Sequence, residues 1–426
     1  MLTVVGRPAS PSTRHVLTLL TGSGLAQAIA LAVSPLLTRL YAPGQFGLFA
    51  LYLSVVALLA VVATGRYELA IVLPEADDDA WQVGALALGL AVLFSAAVLL
   101  CVWAFETRLM ALAGPAHPSA WLYLLPLAVL LTSVTATLGC WENRRRRYAS
   151  LAINRTAQSG TTALASVGLG LTGYTGLGLV IGSVTGQALA AALFVLGLGR
   201  TGGTPVRPSL GRAALAVQAR RFAAFPRINL PHALLDAVQA TAVLALMGLV
   251  YGSVTLGLYA LTLRVARTPL ALFGASVAQV FQPLAAQTFN EGGDLHGLVR
   301  RTTARLVRVA VPFALAMGLA PWLFVFVFGA PWREAGVYAL ILAPWMALNL
   351  VTSPLSQLPL IVGRQGRAFA FGLAYQAAML LPFALAWAFA LEMRSALMLQ
   401  SALASAVLVF YGRWLHRLAP PASAHV

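Results

Sequence analysis

The sequence predicts an all-α, polytopic membrane protein of about twelve transmembrane helices arranged as two pseudo-twofold six-helix bundles. Three observations carry this expectation. The first is composition: of 426 residues, 60% are hydrophobic and 9% charged, and the mean hydropathy is +0.83, which leaves too little polar surface for a water-soluble chain of this size. The second is the recurrence of apolar runs long enough to cross hydrocarbon. The third is a segment that repeats at an offset of 210 residues.

A crossing helix needs about 20 mostly apolar residues. Runs of that kind lie near 16–37, 46–68, 81–105, 119–140, 150–172 and 175–198, and again near 228–250, 254–280, 306–329, 337–362, 368–390 and 395–413. The first run, with Arg7 and Arg14 before it and small residues at Ala28 and Ala30, has the outline of a cleavable signal. It is read as a retained span because the repeat requires it.

All 28 basic residues are arginine. The lack of lysine excludes the phosphate-binding lysine of a P-loop and any Schiff-base chemistry. A pI near 11 raises the question of nucleic acid. The arginines sit in short segments between apolar runs, however, so anionic membrane lipids are the expected partner and nucleic acid is not. Placing the N-terminus inside puts 22 arginines in cytoplasmic segments and leaves only Arg39, Arg108, Arg333 and Arg394 outside. The positive-inside rule then places both termini in the cytoplasm. Trp81, Trp103, Trp121, Trp141, Trp332, Trp387 and Trp414 fall at or just beyond span ends, as an interfacial belt would require. Cys101 and Cys140 lie toward opposite ends of neighbouring spans, too far apart for a disulfide.

The repeat reads Tyr41-APGQ-Phe46-GLFALYL and, 210 residues later, Tyr251-GSVT-Leu256-GLYALTL. Both copies bridge the first and second spans of a set of six. An even number of spans per set makes both sets enter from the same side, with a pseudo-twofold along the membrane normal. The expected organisation is an N-terminal lobe over 1–202, a cytoplasmic linker over 203–222 that suits an interfacial amphipathic helix, and a C-terminal lobe over 223–426. Two symmetric lobes suit alternating access and hence transport.

TRLYAPGQFGLFALYLS followed by GRYELAIVLPEADDDA resembles the amino-terminal signature of bacterial oligosaccharide flippases. WENRRRRYASLAINR, FPRINLPHALLDA, GLYALTLRVARTPLALFGASVAQVF and FGAPWREAGVYALILAPWMALNLVTSPLSQLPLIVGRQGR resemble later parts of that family, in order, up to about residue 370. The resemblance implies the multidrug/oligosaccharidyl-lipid/polysaccharide exporter superfamily and its MATE-like pair of six-helix lobes. It also implies a substrate, an undecaprenyl-diphosphate-linked oligosaccharide moved from the cytoplasmic to the periplasmic leaflet of the bacterial inner membrane. The destination would be lipopolysaccharide O-antigen, capsule or exopolysaccharide, with polymerase and ligase machinery as partners. No cofactor is implied, and coupling stays open among protons, sodium and membrane potential. Lipid II flippases usually carry two further helices, which this sequence lacks.

Such a substrate needs cations for its phosphates and hydrogen-bonding or aromatic groups for its sugars, at membrane depth. At about 1.5 Å per residue, Arg264 lies roughly 18 Å inside its span, and Arg267 follows on the same face. Asp236, roughly 12 Å into the preceding span, shares that depth. It is read either as a structural ion-pair partner of Arg264 or as a gating or coupling carboxylate. Arg66 and Glu68 fall at a cytoplasmic mouth, where a gating or structural role fits; residues two apart on a helix do not face each other, so each is expected to meet another helix. Asn229, bracketed by Pro226 and Pro231, suits ligand contact or capping. Trp345 and Asn349 share a helix face at i, i+4 and suit sugar or simple packing. Pro269, Pro344 and Pro354 are candidate kinks. Arg39 and Arg155 sit where arginine snorkels to headgroups. The acidic run Glu75, Asp77, Asp78 and Asp79 reads as a solvated loop or helix cap rather than a metal site.

No histidine pair has ligand spacing and no serine sits in a G-x-S-x-G elbow, so no catalytic or metal constellation is expected. Two competing readings remain. A MATE-type drug or cation antiporter would favour an acidic, aromatic cavity. A membrane glycosyltransferase or ligase would need larger extramembrane segments than this chain offers.

Overall fold

The computed structural model describes residues 11–113, 119–199 and 211–418, and these are helical with short connections. The first six helices are α1 (Pro11–Leu40), α2 (Pro43–Ala63), α3 (Asp77–Ala113), α4 (Ala120–Arg144), α5 (Tyr148–Leu171) and α6 (Gly178–Gly199). A short α7 (Arg212–Arg221) precedes α8 (Leu230–Thr262), α9 (Thr268–Asn290), α10 (Leu295–Ala316) and α11 (Ala320–Phe328). The chain closes with α12 (Arg333–Thr352), α13 (Leu358–Ile361), α14 (Gln365–Phe389) and α15 (Met393–Leu418).

The protein is a multi-pass membrane protein. Ten helical stretches among the described residues are long and apolar enough to cross a bilayer. One of them, Phe225–Asn290, holds 66 residues, enough for two crossings, and is broken at Gly252, whose φ of 80° suits only glycine. Helix α5 is not among the ten, because it carries Asn154, Arg155, Gln158 and Ser159 within its 24 residues. Two of those polar groups are satisfied by neighbouring helices: the Asn154 amide donates to Ala190 O at 2.7 Å, and Ser159 Oγ donates to Ala26 O at 2.7 Å. Gly182 and Gly186 let α6 approach so closely that a Cβ on either would overlap Ser166 or Thr162 of α5. Small residues and interhelical hydrogen bonds of this kind hold helices together where lipid removes the hydrophobic drive.

Two compact units emerge. One comprises residues up to Tyr41 with Leu51–Thr241, and the other comprises Ala42–Ala50 with Ala242–Val426. The expected boundary at 203–222 therefore shifts: the start of α2 joins the second unit and the first part of α8 stays with the first. Residues 203–210 of the expected linker lie outside the described residues. Its remainder, α7, is docked on protein: Gln218 Nε2 donates to Asp79 Oδ1 at 2.9 Å, Arg221 pairs with Asp79 at 3.1 Å, and Tyr67 Oη donates to Ala219 O at 3.0 Å. Phe222 completes the seat in a core with Tyr67, Ile71, Val83 and Trp141.

The acidic run is tied down as well. Arg144 donates to Asp77 Oδ1 and Glu75 O at 3.0 Å each and to Pro74 O at 2.5 Å. Among the described residues no group of three His, Cys, Asp or Glu is placed to hold a metal. The tryptophan belt is corrected in part. Trp103 and Trp387 are exposed, but Trp121, Trp141 and Trp332 are buried in protein, Trp332 edge-on to Phe46 at 4.9 Å. Their position at span ends thus reflects packing. Both cysteines are free.

Candidate functional site

Two segments wind as π-helix, Phe225–Asn229 and Leu263–Arg267. Each is followed two residues later by a proline, Pro231 and Pro269. A proline cannot donate the α-helical hydrogen bond to the carbonyl four residues back, here Arg227 and Val265, both inside the π segments. The wider turn absorbs that loss, and such turns concentrate at functional sites. The expected ligand residues Asn229, Arg264 and Arg267 all lie on these two turns.

A π turn closes over five residues instead of four, so Arg264 and Arg267 diverge more than α spacing predicts. Arg264 is half-buried and Arg267 exposed. The guanidinium carbon of Arg267 lies 5.7 Å from the ring centre of Trp345. Trp345 is buried, at 1% exposure, and its Nε1 donates to Tyr375 Oη at 3.0 Å. The ring is thereby fixed as a platform under the cation, and burial leaves packing rather than sugar stacking as its part. Within the second unit, among the described residues, no carboxylate pairs with Arg267, so its donors remain unspent.

Asn349 shares the face of α12 with Trp345 as expected. Together with Arg267 and Ser353 they wall a small cavity of about 20 Å³. Asn349 and Ser353 also wall a larger cavity of about 230 Å³ among α12, α14 and α15. Sequence reasoning missed Tyr375, Tyr411 and Gln400. The two tyrosines line the larger cavity. Gln400 is fully buried and its amide donates to Tyr259 Oη at 3.4 Å. A polar residue in the middle of the last apolar span was the available signal for Gln400.

The other candidates lie in the first unit. Asn229 and Asp236 are exposed there, whereas Arg264 belongs to the second unit. Arg66 and Glu68 correct the expectation that each meets a separate helix. Helix α2 ends at Ala63; Gly65 and Arg66 then adopt left-handed φ of 59° and 63°. The reversal brings Arg66 Nη1 to 3.4 Å from Glu68 Oε1, and Thr64 Oγ1 donates to Glu68 Oε2 at 2.5 Å.

A family model described as polysaccharide biosynthesis protein matches residues 36–337. Among solved structures, the lipid II flippase MurJ in an inward closed conformation is similar at TM-score 0.69 and 12% identity, over 94% of this chain and 87% of that one. A multidrug resistance MATE family transporter of the MOP superfamily, outward-facing, is similar at TM-score 0.58 and 12% identity over 96% of both chains. A Vibrio cholerae MATE transporter variant gives TM-score 0.56 and 12% identity over 95% of both. At such identities the likeness is one of fold. No curated protein sequence matches the chain.

Proposed function

The chain belongs to the polysaccharide biosynthesis protein family, and from that premise we propose that it is a flippase carrying a lipid-diphosphate-linked oligosaccharide across the bacterial inner membrane by alternating access of its two halves. The observation that carries the reading is Arg267, a cation on an irregular turn inside an apolar stretch, held over Trp345 and paired with no carboxylate among the described residues of its unit. A guanidinium so placed offers several N–H donors to phosphate oxygens, and charge-assisted bonds of that kind are strong where water is scarce. An intramembrane charge is costly and is retained where it serves a pathway. Arg264 and Asn229, on the same kind of proline-followed turn, are proposed as further substrate contacts, with Asp236 and the Arg66–Glu68 pair in gating or coupling.

Deletion of the gene tests the proposal directly. The lipid-linked oligosaccharide should accumulate on the cytoplasmic leaflet while its synthesis continues, as read by enzymatic accessibility in oriented vesicles. Unchanged export in a strain without a second flippase, or protection against cationic dyes with no glycan phenotype, would overturn it.

A further inference from the structure

Helix α10 packs chiefly on α12, with further contact to α9 and α15, and its buried and exposed residues fall on opposite stripes. The buried stripe holds Leu295, Val299, Leu306 and Ala310. The exposed one starts at Arg301, continues at Arg305 and Arg308, and passes through Pro312 and Leu315 to Leu319, at the spacing of three or four that keeps residues on one helix face. Its chemistry changes once. Up to Arg308 the stripe is cationic, and beyond it apolar, with Leu315 at 73% exposure and Phe326 of α11 at 83%.

Helices α10 and α11 form one stretch long and apolar enough to cross a bilayer, Leu295–Phe328. An exposed apolar stripe on a crossing helix faces acyl chains, so the arginines that continue it face lipid too. Residues 309–328 carry no charge, and at about 1.5 Å per residue they span roughly 30 Å, the thickness of the hydrocarbon. Arg308 therefore sits at the hydrocarbon edge and Arg305 about 4.5 Å further out. Both fall within the headgroup layer, about 5–7 Å deep on each side.

The two cations lack counter-charge from the protein. Arg301 is compensated by Asp294 at 3.7 Å, whereas Arg305 and Arg308 make no hydrogen bond or ion pair among the described residues. No acidic residue occurs between Asp294 and Glu334, and the adjoining end of α15 carries Arg413 and Arg417. Like charges one turn apart repel each other, so the missing charge has to come from the lipid that the stripe faces. We propose that Arg305 and Arg308 form a docking site for a diphosphatidylglycerol, a phospholipid whose two phosphates are joined by a glycerol bridge. One such headgroup supplies both charges, with Arg308 snorkelling outward to reach it, and its acyl chains cover the exposed Val307, Val309 and Val311 alongside. A lipid with one phosphate leaves the second guanidinium uncompensated. The fused phosphates of a prenyl diphosphate do not span two turns. The site stands apart from the flippase reading and requires only that this helix cross a membrane.

Native mass spectrometry of the purified full-length protein tests this, with diphosphatidylglycerol and phosphatidylglycerol offered at equal total phosphate. Diphosphatidylglycerol should bind about tenfold or more tighter, the worth of one further charge-assisted hydrogen bond. Arg305→Gln and Arg308→Gln should each abolish that preference, whereas Arg364→Gln, at the exposed residue before α14, should keep it. Thermal midpoints without added lipid should match the wild type in all three variants, and farnesyl diphosphate should not displace the bound phospholipid. Equal binding of the two phospholipids, displacement by farnesyl diphosphate, or a preference that survives both glutamine substitutions together overturns the proposal. So does a lowered midpoint in Arg305→Gln or Arg308→Gln, which would mean that protein contacts hold these side chains. None of these outcomes bears on the export phenotype by which the flippase reading is judged.

Discussion

Arg267 depends for its orientation on the residue beneath it. A long, exposed arginine samples many rotamers, and the fixed face of Trp345 5.7 Å away limits them. Arg267→Gln should therefore lower export by roughly ten- to a hundredfold, matching the about 1.5–3 kcal/mol of a charged hydrogen bond. Arg267→Lys should recover only part, because an ammonium lacks the planar fork, and Trp345→Leu should cost less than Arg267→Gln. Initial rates of lipid-linked substrate flipping in proteoliposomes, at matched insertion, check that order. That Arg267 falls inside a long apolar helical stretch was legible from residue counting. The Arg66–Glu68 pair was not, because spacing rules for a helix were applied past its end; Gly65 after Thr64 is the kind of stop signal that marks such an end.

Elements taught the same lesson in both directions. Helix α5 was counted as a crossing although its polar residues weaken the apolar signal, and its hydrogen bonds to α1 and α6 show why the polarity is tolerated. Helix α7 looked interfacial because its arginines are visible in the sequence, whereas Asp79, the partner of Arg221, lies 142 residues away. Long-range pairing of that kind leaves no local pattern to read. The dock gives Asp79 a specific weight: it accepts from Gln218, which is 3% exposed, as well as from Arg221. The exposed ion pair is worth about 0.2–1 kcal/mol, whereas leaving the buried amide without that acceptor costs about 1–3 kcal/mol. Asp79→Ala should thus loosen α7 and speed tryptic cleavage at Arg220 and Arg221 in detergent. Asp78→Ala, at an exposed neighbouring position, should leave the cleavage rate unchanged.

At the scale of the whole molecule, the repeat is more than a trace of duplication, because its two copies meet. Gly47 and Gly257 are 210 residues apart, as are Pro43 and Ser253. Within the second unit, a Cβ on Gly47 would overlap Ser253 O, and a Cβ on Gly257 would overlap Pro43 O; the same Cβ on either glycine would lie 2.9 Å from the backbone nitrogen of the other. Each copy thus receives the same carbonyl at the same position, the reciprocal pattern of a self-complementary contact. The repeat tyrosines keep a common task too, Tyr41 donating to Ser166 O at 2.6 Å and Tyr251 to Leu391 O at 2.8 Å. Backbone-to-backbone approach this close admits only glycine, so Gly47→Val and Gly257→Val should each destabilise the protein by about 1–3 kcal/mol through overpacking. Since the two side chains would press on one crossing from equivalent positions, the double variant should cost clearly less than the sum of the singles. Thermal midpoints of the four proteins in one detergent measure that coupling; strict additivity would mean that the two glycines do not share a contact.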